Sequence, residues 1–258
     1  MNYAHSQHDT VVIKVGGNEI DDDSFLAGLV AAVGEVQKHA RVAVVHGGGK
    51  EIGELHGQLG IAFEFVEGLR VTSADSLRLV KMVLSGQVNT RLTRWLVNGG
   101  IDALGMSGVD LGLVRVEPLR PNGLDIGFVG RVVGVRAEPL HLLLANGIVP
   151  VISPISLGVD GLSYNVNADQ VAAALAVALG AGRLIFVSNV PGVLIDGALA
   201  PQLSIANVEA HIASGQISGG MVPKVRSAIE AVQAGVPATV ITNLDGLRFG
   251  RGTVIGDR

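Results

Sequence analysis

Strand-like runs that end in glycine, each followed by a stretch with helical spacing, recur almost from end to end of this chain. Residues 11–17 read Val-Val-Ile-Lys-Val-Gly-Gly, and residues 44–50 read Val-Val-His-Gly-Gly-Gly-Lys. After the first run, Phe25, Leu26, Leu29, Val30 and Val33 recur at the spacing of one helical face, which predicts a helix over 23–38 with cap candidates at 21–24. The same reasoning predicts strands over 10–15, 41–45, 102–106, 148–153, 183–189 and 238–242. It predicts helices over 50–59 (Ile52, Leu55 and Leu59 on one face), 75–98, 138–146, 168–179 and 222–234, and a hairpin arm of 113–118 and 128–135 around Pro121, Asn122 and Gly123. Repeated βαβ units imply a mainly parallel sheet with helices on both faces. Aromatic residues make up only 3% of the chain, so the core must be built from Val, Ile, Leu and Ala, as suits strands buried on both faces.

Several functional classes are disfavoured at once. The formal net charge is −4 and no basic stripe is interleaved with aromatics, so nucleic acid is not the expected partner. The chain has no cysteine, which excludes a disulfide scaffold, a Cys-based zinc site and a cysteine nucleophile. The first residues are polar, with no apolar stretch of a signal peptide, and no apolar run reaches the ~20 residues of a membrane helix. A cytoplasmic protein that does not engage a membrane is the expectation. There is no Gly-x-Ser-x-Gly elbow, no P-loop, and no dinucleotide fingerprint with its acidic residue ~20 positions on.

In a parallel sheet, ligands bind beyond the carboxyl ends of the strands, so the glycine-ended strands are where chemistry is expected. Glycines there let backbone N–H groups approach an anion, although the same residues also make ordinary strand-to-helix turns. Lys14 lies inside an apolar strand, two residues before Gly16, and must either meet negative charge or sit on an exposed edge. Residues 219–224, Gly-Gly-Met-Val-Pro-Lys, put Lys224 in the first turn of a helix, where the helix dipole disfavours it unless an anion is near. A solvated surface lysine is the plainer alternative. Residues 164–169, Tyr-Asn-Val-Asn-Ala-Asp, offer Asn167 as an N-cap and Asp169 as a first-turn carboxylate, whose role is either capping or chemistry. Residues 68–72, Gly-Leu-Arg-Val-Thr, present Arg70, a planar fork for a carboxylate or a rim salt bridge. His46 has no second ligand at metal spacing and reads as packing or orienting.

Taken in this order, the motifs resemble the amino acid kinase superfamily and, within it, the acetylglutamate kinases, from Val11 to Gly252 and Thr253. The resemblance implies a three-layer αβα sandwich and one domain over 1–258, with an acceptor lobe over about 1–180 and a nucleotide lobe over about 181–258. It implies transfer of the γ-phosphoryl group of ATP, with Mg²⁺ carried by the nucleotide and not by a protein metal site, to N-acetyl-L-glutamate, the second step of arginine biosynthesis. Lys14 and Lys224 look like the lysines that stabilise the moving phosphoryl group, and Asp169 like the aspartate that holds both. Gly17 and Gly48 resemble the backbone donors to the γ-phosphate, and Gly48, Gly49, Arg70 and Asn165 the acceptor contacts. Asn189, Val190, Pro191, Gly192, Val193 and Leu194, with Gln216, Ile217 and Ser218, resemble nucleotide contacts. A carboxylate acceptor is already ionised at neutral pH, so no general base is required.

The family also implies a homodimer. Only about nine residues precede the first strand, too few for the extra N-terminal helix of arginine-inhibited hexamers, so a dimer insensitive to arginine is expected. The 113–135 arm is expected to form part of a lid. One departure stands out: Asn189 occupies a position where acetylglutamate kinases commonly carry Asp, and Ser-Asn-Val-Pro-Gly at 188–192 is reminiscent of kinases that act on carrier-linked glutamate or aminoadipate. A non-catalytic amino-acid sensor on the same fold is the alternative of a different class; it would be expected to lack one of Lys14, Asp169 and Lys224.

Overall fold

A strand buried on both faces needs an almost unbroken apolar run, and the first run of the chain supplies it. In the computed structural model, which describes residues 9–16 and 20–256, β1 (Thr10–Val15) is buried throughout except at Lys14. α1 (Asp23–Gln37) is capped by the Asp22 carboxylate, which accepts from the Phe25 N–H at 2.7 Å. β2 (Arg41–His46) leads through Gly47 and Gly48 into α2 (Gly49–Leu59). A small hairpin, β3 (Phe65–Val66) and β4 (Leu69–Arg70), precedes α3 (Ala74–Lys81), a π-helical turn (Met82–Val88) and α4 (Asn89–Asn98). Next come β5 (Ala103–Gly108), the arm of β6 (Val114–Pro118) and β7 (Gly130–Val135), and α5 (Glu138–Ala145). They are followed by β8 (Val149–Gly158), β9 (Ser163–Asn165), α6 (Ala168–Ala178) and β10 (Arg183–Val187). A second hairpin, β11 (Leu194–Ile195) and β12 (Ala198–Leu199), leads to β13 (Gln202–Leu203), α7 (Ile205–Ala213) and α8 (Met221–Gln233). β14 (Thr239–Thr242), α9 (Leu244–Phe249) and β15 (Thr253–Ile255) end the described chain.

One sheet of eleven strands runs in the order β13-β15-β14-β10-β1-β2-β8-β6-β7, with β5 and β9 also paired to β8. Its centre, from β14 through β10, β1 and β2 to β8, is parallel, as are β5 and β6 on β8 and β13 on β15; β15 on β14, β7 on β6 and β9 on β8 are antiparallel. The two-residue period of a strand sorts side chains between the layers. Val12 joins the core formed with α5, α6 and α8, whereas Val11, Ile13 and Val15 pack with α1, α4 and α9. The result is the expected three-layer sandwich. Among the described residues, no helix is long and apolar enough to cross a membrane.

Three local expectations are corrected. The 75–98 segment is not a uniform α-helix, because the π turn at Met82–Val88 adds a residue to its middle. The 148–153 strand runs on to Gly158, where it gains β6 and β9 as partners. Leu59, expected on the buried face of α2, is exposed, because the helix stops at Gly60 in the left-handed conformation (φ 64°).

Candidate active site

β1 has β2 on one side and β10 on the other, so the connections leaving this part of the sheet diverge at its carboxyl edge. A crevice is expected at such a point, and the structure has a cleft of about 370 Å³ there. Lys14, Gly48, Gly49, Arg70, Asn165 and Asp169 all line it. These residues come from four separate stretches of chain.

Strand periodicity puts Lys14 on the Val12 face, the one covered by α6 and α8. α6 begins beside it. The Asn167 side chain caps that helix by accepting from the Asp169 N–H at 2.8 Å, which sets Asp169 in the first turn. The Lys14 ammonium lies 2.8 Å from Asp169 Oδ1, with the two side chains 18% and 21% exposed. The contact is one of charge and lacks hydrogen-bond alignment. Ser227 in α8 donates its hydroxyl to the other oxygen, Asp169 Oδ2, at 3.2 Å. Lys224 lies one turn before Ser227 on α8, outside the cleft lining, and its ammonium donates to Gly220 O at 3.3 Å. Asp169 therefore holds one of the two lysines and the helix that carries the other.

Arg70 ends the β3–β4 hairpin with its guanidinium over two rings, 4.1 Å from the Phe63 centroid and 4.8 Å from that of Phe65. Nη2 donates weakly to Gly49 O at 3.4 Å, while Nη1 is buried with no hydrogen-bond partner. Burial pulls the Arg70 pKa below its ordinary value, yet a guanidinium remains charged at neutral pH. Such a group, facing a cleft, suits a carboxylate. Its backbone is tied down behind: Thr72 donates its hydroxyl to Arg70 O at 2.7 Å and accepts from Asn165 Nδ2 at 3.3 Å. The arm between β6 and β7 fastens the same region. Gly127, at φ +74°, lies so close to the Thr72 carbonyl that any Cβ there would collide with it. Asn122 donates to Glu67 Oε1 at 2.8 Å.

The glycine turn after β2 is equally constrained. A Cβ on Gly48 would come within 2.6 Å of Leu84 Cδ2, so the π turn packs directly against this backbone. α2 begins there with no side chain capping its N-terminus, which leaves first-turn N–H groups for an anion. His46 is fully buried, and burial lowers its pKa to about 4. In the window between about 4 and the ordinary 6.5, the folded chain thus binds fewer protons than the unfolded one. This contribution to stability is whole above pH 6.5 and is lost as pH falls towards 4, a change on the order of 3 kcal/mol. Thermal melts across that range should show a shallower acid loss for His46→Asn than for the parent chain.

The expected nucleotide residues lie outside the lining of this cleft. Residues 189–194 follow the carboxyl end of β10, beside β1, with Val193 and Ile217 buried and Asn189 exposed. Gln216 donates to Asp196 Oδ1 at 2.9 Å, just beyond the 189–194 segment, and its Oε1 lies 2.5 Å from His211 Nδ1. Gly17 lies outside the described residues. Among the described residues, no three His, Asp or Glu side chains cluster closely enough to hold a metal ion.

The sequence reasoning missed Phe63 and Phe65 under Arg70, Thr72, Asn89 and Ser227. The aromatic pair carried a signal: two of only six phenylalanines stand with one residue between them, shortly before Arg70. Asn89 and Ser227 carried none, since each meets its partner only across the fold, whereas Thr72 lay inside the 68–72 motif and meets Arg70 O two residues away.

The model of the amino acid kinase family matches residues 9–243. A Roseiflexus castenholzii protein named acetylglutamate kinase is 53% identical over 253 residues, 97% of this chain and 95% of that protein. One of the same name from Chloroflexus aggregans is 52% identical over 240 residues, 93% of this chain and 94% of its own. Among solved structures, a Streptococcus mutans protein superposes with a TM-score of 0.81 at 31% identity, covering 96% of this chain and 98% of that one.

Proposed function

The chain belongs to the amino acid kinase family, and from that membership and its cleft we propose that it transfers the γ-phosphoryl group of ATP to the side-chain carboxylate of N-acetyl-L-glutamate. The product is N-acetyl-L-glutamyl 5-phosphate, an intermediate on the way to arginine. The observation that carries this reading is the buried Nη1 of Arg70, a guanidinium nitrogen without a hydrogen-bond acceptor, in the same cleft as the Lys14–Asp169 pair. It supports an acceptor that brings a second carboxylate beyond the one that reacts.

The chemistry needs positioning and charge, not a base. An oxygen of the ionised acceptor carboxylate forms the new bond to the γ-phosphorus. The bond from that phosphorus to the β–γ bridging oxygen breaks, and ADP leaves with the electron pair; no proton has to be removed. Arg70, with Gly49 and Asn165, orients the acceptor, and Ile52, Leu84 and Val129 offer apolar wall for its methyl and methylene groups. The backbone N–H groups of Gly17 and Gly48 donate to phosphoryl oxygens. Lys14 and Lys224 offset the charge that gathers on the moving group, and Asp169 steadies Lys14 while Ser227 ties it to α8. The nucleotide lies along 189–194 and 216–218, over the part of the chain beyond about residue 180, and the acceptor lies over the part before it. Mg²⁺ enters with ATP, bound chiefly by the phosphates. The arm between β6 and β7, fastened at Gly127 and Asn122, shields the acceptor side. A homodimer in the cytoplasm completes the reading.

Trapping the acyl phosphate with hydroxylamine tests it. With MgATP, acetylglutamate should give hydroxamate, while aspartate should not. Dominant turnover of acetylaminoadipate would point to carrier-linked acceptors instead, a reading that the named relatives do not favour. Binding of the amino acid without any acyl phosphate would leave a sensor.

A further inference from the structure

We propose that His46 is a positioning residue: its ring fixes the Gly47–Gly48 peptide so that the Gly48 N–H faces the cleft, and Asn89 locks the ring in the orientation and tautomer this requires. The proposal rests on the reading of Gly48 as a donor to the transferring phosphoryl group.

The peptide between Gly47 and Gly48 is held by its carbonyl. Gly47 N–H donates to Val15 O at 3.1 Å, which anchors the residue to β1. His46 Nδ1 lies 2.9 Å from Gly47 O, and because a carbonyl only accepts, Nδ1 must carry the proton. A trans peptide is planar, with its C=O and N–H pointing in opposite directions. The Gly47 carbonyl shares its peptide with the Gly48 N–H. Turning that carbonyl to the imidazole turns the N–H away from it, and Gly48 is a residue of the cleft lining.

Asn89 decides the tautomer. With Nδ1 protonated, Nε2 is bare and accepts from Asn89 Nδ2 at 3.1 Å. The same amide nitrogen faces two further acceptors, Val151 O at 2.9 Å and Met106 O at 3.3 Å, so the side chain must present its NH₂ group here. Room for the opposite oxygen comes from Gly105, where any Cβ would collide with Asn89 Oδ1. Asn89 is the residue at which the π turn ends, and that turn also supplies Leu84 and Val88 against Gly48. The carboxamide thus links β2, β5 and β8 to the Gly48 amide. His46 is 0% exposed and Asn89 4%, so water cannot replace either bond. A ring uncharged at neutral pH keeps the single tautomer that the two bonds define.

The experiment compares His46→Leu with His46→Asn. Leucine fills the volume and donates nothing, whereas asparagine carries an amide nitrogen on Cγ, where histidine carries Nδ1. With both variants folded by circular dichroism, His46→Leu should lose about 10- to 100-fold in kcat, with KM for ATP and acceptor little changed, because a misaimed donor fails at the transition state. His46→Asn should recover most of that loss. Nitrogen-15 spectra of the parent chain should show His46 protonated at Nδ1 alone, and Asn89→Leu should mix the tautomers. A folded His46→Leu with full kcat, a His46→Asn no better than leucine, or an Nε2–H tautomer in the parent chain would each overturn the proposal. If the parent chain made no acyl phosphate from acetylglutamate, the reading of function would fall. The tautomer, and movement of the Gly48 amide resonance in His46→Leu but not in His46→Asn, would still decide the positioning role.

Discussion

Lys14→Ala is expected to lower kcat by roughly 10²–10³, with a smaller change in KM for either substrate. Lys14 is the one cation inside the central strand, and it reaches the cleft because the two-residue period turns it to the α6 and α8 side of the sheet. Its partner Asp169 draws its position from the Asn167 cap, so the ammonium is held in place before substrates arrive. A group held in this way acts on charge as it develops and needs no reorganisation at the moment of transfer, which is why its loss should appear in kcat. The variant should still fold. Asp169 keeps the Ser227 hydroxyl on Oδ2, and loss of the lysine side chain opens space for water from the cleft at Oδ1. Lys14→Arg should restore little, since a planar fork does not replace a compact ammonium beside one carboxylate oxygen. Steady-state kinetics with hydroxamate detection checks this. Near-normal turnover by a folded Lys14→Ala protein would remove the lysine from the mechanism.

Arg70→Ala should act on the other side of the reaction, raising KM for the acceptor on the order of 10²-fold while KM for ATP stays near its parent value. The unpartnered Nη1 is the reason. A buried cation gains most from a carboxylate that has no comparable partner elsewhere in the cleft. Arg70→Lys is not a mild change here. An ammonium cannot lie over Phe63 and Phe65 as the guanidinium does, nor offer two parallel donors, so most of the loss should remain. Titration of acceptor binding by calorimetry, alongside the kinetics, separates lost affinity from lost chemistry. An acceptor KM unchanged in Arg70→Ala would place the recognised carboxylate elsewhere.

Lys14, Asp169, Gly48, Gly49 and Arg70 were visible as candidates along the chain from their residue types and places, whereas Asn165 entered only through the family resemblance. A cation sits in an apolar strand, glycines end strands, and a carboxylate follows a helix cap. The structure brings these six to one cleft. The sequence reading went less far with Lys224. Helix position alone suggested a nearby anion, whereas in the fold its ammonium rests on the carbonyl of Gly220 and Asp169 is reached by Ser227 instead. The π turn escaped notice because an extra residue in one helical turn leaves the average apolar spacing of a long helix almost intact.

The order of strands and helices, the sorting of Val12 from Val11 and Ile13 into opposite layers, and the caps at Asp22 and Asn167 follow from neighbours within a few residues, where periodicity and hydrogen-bonding chemistry act directly. Which distant groups meet was settled only in three dimensions. His46 and Asn89 are 43 residues apart, Asp169 and Ser227 58, and Thr72 and Asn165 93. A sequence pattern states which face of an element is buried. The partner on that face depends on how eleven strands order themselves and how closely the helices pack over them.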